Sequence, residues 1–461
     1  MDAEDAPDDD TDRTATADAL FGTAGVRGPA TEVTPRLALA VGRAVAAGTG
    51  TVVVGRDGRV TGGALADAVA AGARAGGAAV VRLGRVPTPA LAFASRDRHG
   101  VMVTASHNPP ADNGLKLFAD GREYDAAAER RIADRVAAEP GPVEWDAWGD
   151  AREAAVLGDY RDAVTAYAGG HGAPLDGRAV VVDAGNGVAG RATPQVLREL
   201  GANVTALHAN VDGHFPGRPS KPTPETLAAT RRFVASSGAA LGLAHDGDGD
   251  RIVVLDGAGE VVHEDTVLAI LAAHYVRESA AADPVVVTTP NASGRVDELV
   301  ESAGGRIERV ALGSLHEGVA ASDGTVVFAA EPWKHLHTAF GGWIDGVVSA
   351  AVVARLVAAD GLDALREPVT ERPYRKEDVA CPDDRKAAAM ARVEAALPER
   401  FPEADVETTA GVRLAFPDGS WVLVRPSGTE PYLRVYVESD AVDRLVAAAV
   451  ETVEESVAGA A

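Results

Sequence analysis

Three segments of this 461-residue chain combine residue types at spacings that could do chemistry. The first is Val103-Thr104-Ala105-Ser106-His107-Asn108-Pro109-Pro110, followed by Asn113-Gly114-Leu115-Lys116. An apolar strand ends at Thr104, and Pro109 and Pro110 keep the loop that follows from becoming helix. The loop presents one hydroxyl, Ser106, with a His beside it and a Lys ten residues on. Serine alone is a poor nucleophile, and a neighbouring His in sequence is no evidence of a hydrogen bond. No Gly-x-Ser-x-Gly elbow surrounds it, so a protease-type triad is disfavoured. The segment also reads as an ordinary strand-end turn.

The second segment is His245-Asp246-Gly247-Asp248-Gly249-Asp250-Arg251, set between the apolar runs Ala239 to Ala244 and Ile252 to Leu255. Carboxylates at alternating positions can converge on one hard divalent cation, because glycine lets the backbone fold tightly around it. An EF-hand loop begins similarly but needs Gly at its sixth position and Glu at its twelfth. Those positions hold Arg251 and Gly257, so that reading fails. A solvated acidic turn is the plain alternative. Strands on both sides put the loop at a sheet end, where ligands gather in α/β domains.

The third segment is Arg425-Pro426-Ser427-Gly428-Thr429-Glu430-Pro431-Tyr432-Leu433-Arg434. Two Arg forks, two hydroxyls and an accessible glycine N–H are the parts of a phosphate cradle. A rigid hairpin with surface arginines would also fit. Two segments signal more weakly: Phe21-Gly22-Thr23-Ala24-Gly25-Val26-Arg27-Gly28, a Gly-rich loop with one Arg, and Ala330-Glu331-Pro332-Trp333-Lys334-His335, which suits a sugar. Gly185-Asn186-Gly187-Val188-Ala189-Gly190 matches the dinucleotide fingerprint, but the acid expected after the next strand is missing, so a plain βα turn is preferred. Gly-Lys never occurs, which excludes a Walker A loop.

The elements that must position these loops alternate. Strand signals at Thr51 to Val54, Ala79 to Arg82 and Gly100 to Thr104 enclose a helical stretch from Gly62 to Ala75. The rhythm returns at Ala179 to Asp183 and Asn203 to Leu207, and again at Val285 to Thr288, Ile307 to Ala311 and Val326 to Ala329. Strands alternating with helices predict βαβ units with mainly parallel sheets, here three similar α/β units. Val412 to Phe416, Trp421 to Val424 and Leu433 to Val437, followed by a helix from Ala441 to Glu455, predict a smaller C-terminal α+β domain. Boundaries are expected at Glu139 to Gly149, near Asp256 to Gly259 and at Arg372 to Asp384.

Composition bounds the partners. Asp and Glu number 68 against 44 Lys and Arg, giving a formal charge of -24. That surface repels nucleic acid and anionic lipid, so neither is an expected partner. Only five of the basic residues are Lys, and with the carboxylate excess this resembles a chain from a salt-loving cytoplasm. The single cysteine, Cys381, permits no internal disulfide and fits a reducing compartment. The longest apolar run, around Val347 to Ala359, is broken by Arg355 and is too short to span a membrane. Residues 1–18 read as a disordered acidic tail without a secretory signal.

In order and in combination, the four loops resemble the signatures of the α-D-phosphohexomutases, over essentially the whole chain after the tail. The resemblance implies four domains around a central cleft, assigned to 19–150, 151–256, 257–371 and 372–461. It implies that Ser106, as phosphoserine, donates its phosphoryl group to a sugar monophosphate and recovers one from the bisphosphate intermediate. Mg²⁺ would be held by Asp246, Asp248, Asp250 and an oxygen on phosphorylated Ser106. Arg27, His107, Lys116 and Arg251 would surround the transferring phosphate. Arg425, Ser427, Gly428, Thr429 and Arg434 would grip the other phosphate, and Glu331, Trp333, Lys334 and His335 would contact the sugar. A sugar bisphosphate activator, a monomer or homodimer and a cytoplasmic location are further expectations.

The chain departs from the family in the sugar loop, where relatives commonly read Gly-Glu-x-Ser-Gly-His. Trp333 stands at the serine position and cannot accept a hydrogen bond from a sugar hydroxyl. The leading expectation is phosphoglucomutase/phosphomannomutase activity, with phosphoglucosamine mutase and phosphopentomutase as siblings. A sugar phosphatase and a non-catalytic sugar-phosphate sensor are the rivals from other classes.

Overall fold

A computed structural model describes residues 25–427 and 430–460. The acidic tail, Phe21 to Ala24, and Gly428 and Thr429 lie outside the described residues. Three sheets share one topology. In the second, the strand order is Ile252–Asp256, Leu241–His245, Ala179–Asp183, Asn203–Leu207. In the third it is Lys334–Leu336, Thr325–Glu331, Pro284–Thr288, Arg306–Arg309. The first repeats this order with Asp112–Ala119, His99–Val103, Thr51–Arg56 and Ala79–Arg85, and adds Val26–Pro29 at one edge and Ala151–Glu153 at the other.

In each sheet the three inner strands run parallel and the leading strand is antiparallel to its neighbour. That antiparallel pair is a hairpin, and its turn carries the chemistry: Ser106 in the first sheet, the aspartates in the second, the sugar loop in the third. The last sheet, in the order Tyr374–Ala380, Tyr432–Glu438, Trp421–Pro426, Val412–Ala415, Asp405–Glu407, is wholly antiparallel. Its arginine loop also joins two adjacent strands. The fold is thus three related α/β units and a C-terminal α+β unit.

Several expected elements coincide with the structure. The helix Gly62–Ala75 and the strands Ala179–Asp183 and Asn203–Leu207 have the predicted limits. Two of the expected boundary segments carry regular structure of their own. Arg372 to Asp384, expected as a boundary, contains the strand Tyr374–Ala380. Asp256 to Gly259 is the tight turn of a ribbon in which Asp256 N–H donates to Glu260 O at 2.9 Å.

The second and third units share one apolar core around the helices Glu264–Glu278 and Gly346–Asp360. The second of these is the apolar run seen in sequence, and it is buried almost all round. Arg355 is tolerated because its guanidinium donates to the carbonyls of His171 (2.6 Å) and Gly169 (3.0 Å). Among the described residues no helix is long and apolar enough to cross a membrane.

Candidate active site

The serine loop is held from behind by a charged pair. Directly after the strand Thr51–Arg56, Asp57 and Arg59 are fully buried and bonded to each other, Nε to Oδ2 at 3.1 Å. The Arg59 guanidinium also donates to four carbonyls of the loop: Ser106 (2.9 Å), Asn108 (2.7 Å), Pro109 (2.5 Å) and Asp112 (2.8 Å). Thr104 Oγ1 donates to Asp57 at 2.8 Å and accepts from the Ser106 N–H at 2.9 Å. Ser106 takes a left-handed backbone, φ 51°, a strained conformation that persists because this network over-determines it. The Asp57-Gly58-Arg59 signal was present in sequence as an acid–base pair at a strand end, and the motif reading passed over it.

Ser106 Oγ is buried and donates to Asp246 Oδ2 at 2.6 Å, which brings the first hairpin turn onto the second. Glycine is required here: a Cβ at Gly247 would stand 2.7 Å from the Ser106 carbonyl oxygen. His107 Nδ1 is 3.5 Å from Ser106 Oγ, the outer limit of a hydrogen bond. Burial, with Arg251 and Arg27 nearby, pushes its imidazole down to about 2, so it is neutral at pH 7.

One carboxylate oxygen from each of Asp246, Asp248 and Asp250 lies within 4.8 Å of the others, and all three residues are buried. Asp246 Oδ1 accepts from the N–H groups of Gly249 (3.1 Å) and Arg251 (3.3 Å). Asp248 Oδ2 accepts from Thr88 Oγ1 (2.7 Å) and Lys116 Nζ (3.2 Å), and Lys116 also donates to Asp250. Burial, then Asp250 and Asp248, lift the Asp246 carboxyl well above the usual range. Burial works against Asp248 as well, but Lys116, the Thr88 hydroxyl and Arg27 together more than offset it and hold that carboxyl low. Asp248 Oδ1 and Asp250 Oδ1 are buried without a hydrogen-bond partner. Orphaned carboxylate oxygens beside a carboxyl lifted by its neighbours fit a hard divalent cation, which would supply their missing partner.

Lys116 was expected against a phosphate. Its ammonium donates to Asp248 and Asp250, which raise it above its ordinary value although burial works the other way. Arg251 Nε stands 3.9 Å from both Asp246 and Asp250 and makes no hydrogen bond among the described residues. Arg27, opposite Gly114 across the edge of the first sheet, also has a buried, unpartnered Nε. Both guanidiniums therefore retain donors for an anion.

The sugar loop docks on the metal loop, with Arg251 bridged to Lys334 and the Trp333 carbonyl 3.4 Å from the Ile252 N–H. Glu331 accepts from Lys334 Nζ at 3.1 Å and from the Gly313 N–H at 2.8 Å. Trp333 has φ 71° and packs against the cluster of Leu227, Ala244, Val253 and Leu255. His335 is buried, and its Nδ1 pairs with Ser349 Oγ at 3.1 Å. Glu331 and Lys334 thus form the loop's polar pair, Trp333 is half-buried beside them and His335 is buried beneath.

Burial pushes the His335 imidazole down to about 3 from an ordinary 6.5. The unfolded chain therefore takes up the proton first, and stability present above pH 6.5 is lost as pH falls toward 3. This contribution is about 2 kcal/mol at pH 5. In denaturant unfolding, the deficit of His335→Asn relative to wild type should shrink by about that amount between pH 7 and pH 5.

In the last unit Arg425 and Arg434 face each other across paired strands. Arg425 donates to Tyr436 Oη at 3.0 Å, and Arg434 to Asp378 at 2.8 Å. Lys386 Nζ anchors the turn by donating to the carbonyls of Ser427 and Glu430, both at 2.7 Å. Lys376, on the strand expected as a linker, sits over the Tyr436 ring and is lowered by burial, Arg434 and Arg425. Lys221 links the two ends of the site. It follows Ser220, whose hydroxyl donates to the Asn108 carbonyl at 2.7 Å. Burial lowers its ammonium, and so do Arg251, Lys376 and Arg434. Sequence reading had given neither lysine a role. Their signal was scarcity, since they are two of five lysines.

The dinucleotide-like turn is filled. A Cβ at Gly185 would lie 2.6 Å from the Arg218 guanidinium carbon, and one at Gly187 would lie 2.6 Å from the Gly247 carbonyl oxygen. The turn supports the metal loop.

Four family descriptions match in succession. These are phosphoglucomutase/phosphomannomutase α/β/α domain I over residues 18–141, domain II over 159–259, domain III over 263–373 and the C-terminal domain over 378–456. The chain is 42% identical over 433 residues to a phosphopentomutase from Thermococcus kodakarensis, covering 91% of this chain and 94% of that one. It is 39% identical over 440 residues to a probable phosphoglucosamine mutase from Methanopyrus kandleri, covering 92% and 94%. A crystal structure of a phosphoglucomutase/phosphomannomutase family protein from Burkholderia thailandensis shares the fold at a TM-score of 0.83 and 24% identity, covering 95% and 97%. With all four units matched in order, the chain belongs to the phosphoglucomutase/phosphomannomutase family of intramolecular phosphotransferases.

Proposed function

We propose that the chain moves a phosphoryl group between the C1 and terminal hydroxyls of a sugar phosphate, with Ser106 as the relay and a pentose phosphate as the preferred substrate. The observation that carries the reading is Ser106 Oγ, buried and 2.6 Å from one aspartate of a triad fit for a divalent cation, with unpaired Arg27 and Arg251 donors beside it. In the first half-reaction the bond from Ser106 Oγ to phosphorus breaks and one forms to the sugar hydroxyl, giving the bisphosphate. In the second, the other phosphate returns to Ser106 Oγ and the isomeric monophosphate leaves. The proton lost by the sugar hydroxyl in one half is restored to the product hydroxyl in the other.

The chain's residues divide the work. Asp246, Asp248 and Asp250 would hold Mg²⁺, which when bound offsets charge on the transferring group. Arg27 and Arg251 would orient the phosphoryl oxygens, with Lys221 between them and the far end. Arg425, Ser427, Gly428, Thr429, Arg434 and Lys376 would hold the phosphate that is not reacting. A catalytic amount of sugar bisphosphate would prime Ser106.

Two features support a pentose. Trp333 is half-buried against the Leu227 cluster, and the polar side chains beside it for ring hydroxyls are Glu331 and Lys334. The relative at 42% identity is named for a pentose phosphate. Glucosamine phosphate is the second reading, because the Glu331 carboxylate could exchange Lys334 for a substrate ammonium. Coupled assays on ribose, glucosamine, glucose and mannose 1-phosphates test the choice. The highest kcat/KM is expected on ribose 1-phosphate; inorganic phosphate released as fast as substrate disappears would make the chain a phosphatase instead.

Metal removal gives a further expectation. After EDTA treatment turnover should fall by about two orders of magnitude or more and return with Mg²⁺, as expected when a cation stabilises phosphoryl-transfer charge. Stopped activity that Mg²⁺ fails to restore would count against the triad.

A further inference from the structure

A cavity of about 660 Å³ lies away from the serine loop, where Thr51–Arg56 and Ala79–Arg85 meet the connecting segment Glu153 to Gly158 and Arg191 of the second unit. Four guanidiniums line it, from Arg56, Arg82, Arg161 and Arg191, against the carboxylates of Asp67 and Glu153. Asp67 is engaged by Arg82 at 2.5 Å. Among the described residues the other three guanidiniums make no ion pair; their hydrogen bonds go to backbone carbonyls, from Arg56 to Asp57 (3.5 Å), from Arg161 to Leu157 (2.9 Å) and from Arg191 to Arg85. In a chain whose carboxylates outnumber its Lys and Arg by 24, a cavity lined by four arginines and two carboxylates, one of them already paired with Arg82, is the reverse of the expected balance. Burial and the neighbouring Arg85 act against the Arg56 charge and Asp57 and Asp67 offset them only in part, so an anion there would relieve a remaining cost. The buried side chains of Val54, Val86 and Val156 supply an apolar wall.

We propose that this cavity binds a phosphate-bearing metabolite with an organic body, its phosphate oxygens on Arg56, Arg161 and Arg191 and its body on the valine wall. Guanidinium forks match phosphate oxygens two at a time, and the volume far exceeds one phosphate. The place matters because Arg56 directly precedes Asp57 and Arg59, which hold the serine loop, while Arg161 and Arg191 belong to the second unit. A ligand here would tie that unit to the root of the loop. The proposal does not depend on which sugar the enzyme turns over.

Calorimetric titration of the full chain with ADP, and separately with inorganic pyrophosphate, tests it. Arg161→Gln/Arg191→Gln should weaken ADP binding at least tenfold while leaving turnover in the absence of ADP unchanged. Arg232→Gln/Arg277→Gln, which removes the same charge from exposed helix positions, should leave ADP binding as in wild type. ADP should bind more tightly than pyrophosphate. Absence of ADP binding to wild type, or equal binding to both double variants, would overturn the site; pyrophosphate binding as tightly as ADP would overturn the organic body.

Discussion

Ser106→Ala is expected to lower mutase turnover by about three orders of magnitude or more while the fold survives. The size follows from the role: without Oγ no atom in the serine loop can carry the phosphoryl group between half-reactions, and loss of a nucleophile is among the largest single-residue effects known. The stability cost should be about 1 kcal/mol. The hydrogen bond to Asp246 and the long contact with His107 Nδ1 are lost, and Asp246 keeps its two backbone donors. The left-handed backbone at Ser106 is no harder for alanine than for serine. Coupled assay beside thermal unfolding checks both halves. Turnover near wild type would remove Ser106 from the pathway.

The second large effect is expected at Arg59, which touches no substrate. Arg59→Met strands Asp57 as an unpaired buried carboxylate and orphans four loop carbonyls. Breaking a buried pair this way costs about 3–5 kcal/mol. Burial already lifts Asp57 to about 6 with Arg59 in place, so the carboxyl should protonate in the variant and absorb part of that cost. Asp57→Asn/Arg59→Met should therefore recover stability in denaturant unfolding, yet recover little turnover, because the carbonyls of Ser106, Asn108, Pro109 and Asp112 still lack their fork. Arg59→Lys keeps the charge but cannot reach four carbonyls, so kcat should fall more than stability. A double variant with wild-type turnover would show that the clamp serves folding alone.

The fold's rhythm was legible because buried parallel strands are β-branched runs bounded by turns, as at Val180 to Val182 and Val285 to Val287. The strand Tyr374–Ala380 was not legible. It is an edge strand, charged along most of its length and exposed, so it carries no apolar alternation. Asp112–Ala119 was obscured by Asn113-Gly114, a turn signal overridden when the strand was closed in by neighbours on both sides. Ser106 and the aspartates could be read because their chemistry is local in sequence. Arg59, Thr88 and Lys221 could not, since each acts on a partner from another part of the chain: the loop carbonyls, Asp248 and the far arginines. The sugar loop resembled the family pattern at Glu331 and His335 and departed from it at Trp333, and only the fold showed that the His335 ring is buried.

One structural regularity ties these observations together. The Ser106, aspartate and sugar loops are the same hairpin turn of three sheets with the same strand order. Packing the three units about shared helices therefore brings the three turns together, and the arginine hairpin of the last unit presents its cations toward Lys221 and Arg251. Against a formal charge of -24 for the chain, Lys221 lies among the cations Arg251, Lys376 and Arg434.

The most direct measurement is peptide mapping by mass spectrometry after the dephosphorylated enzyme is mixed with ribose 1,5-bisphosphate and Mg²⁺. The account predicts one phosphoryl group on the peptide bearing Ser106, lost again when ribose 5-phosphate is added, with bisphosphate regenerated and no inorganic phosphate formed. An unmodified Ser106 peptide in an enzyme that turns over, or phosphoryl loss to water at the rate of turnover, would contradict it.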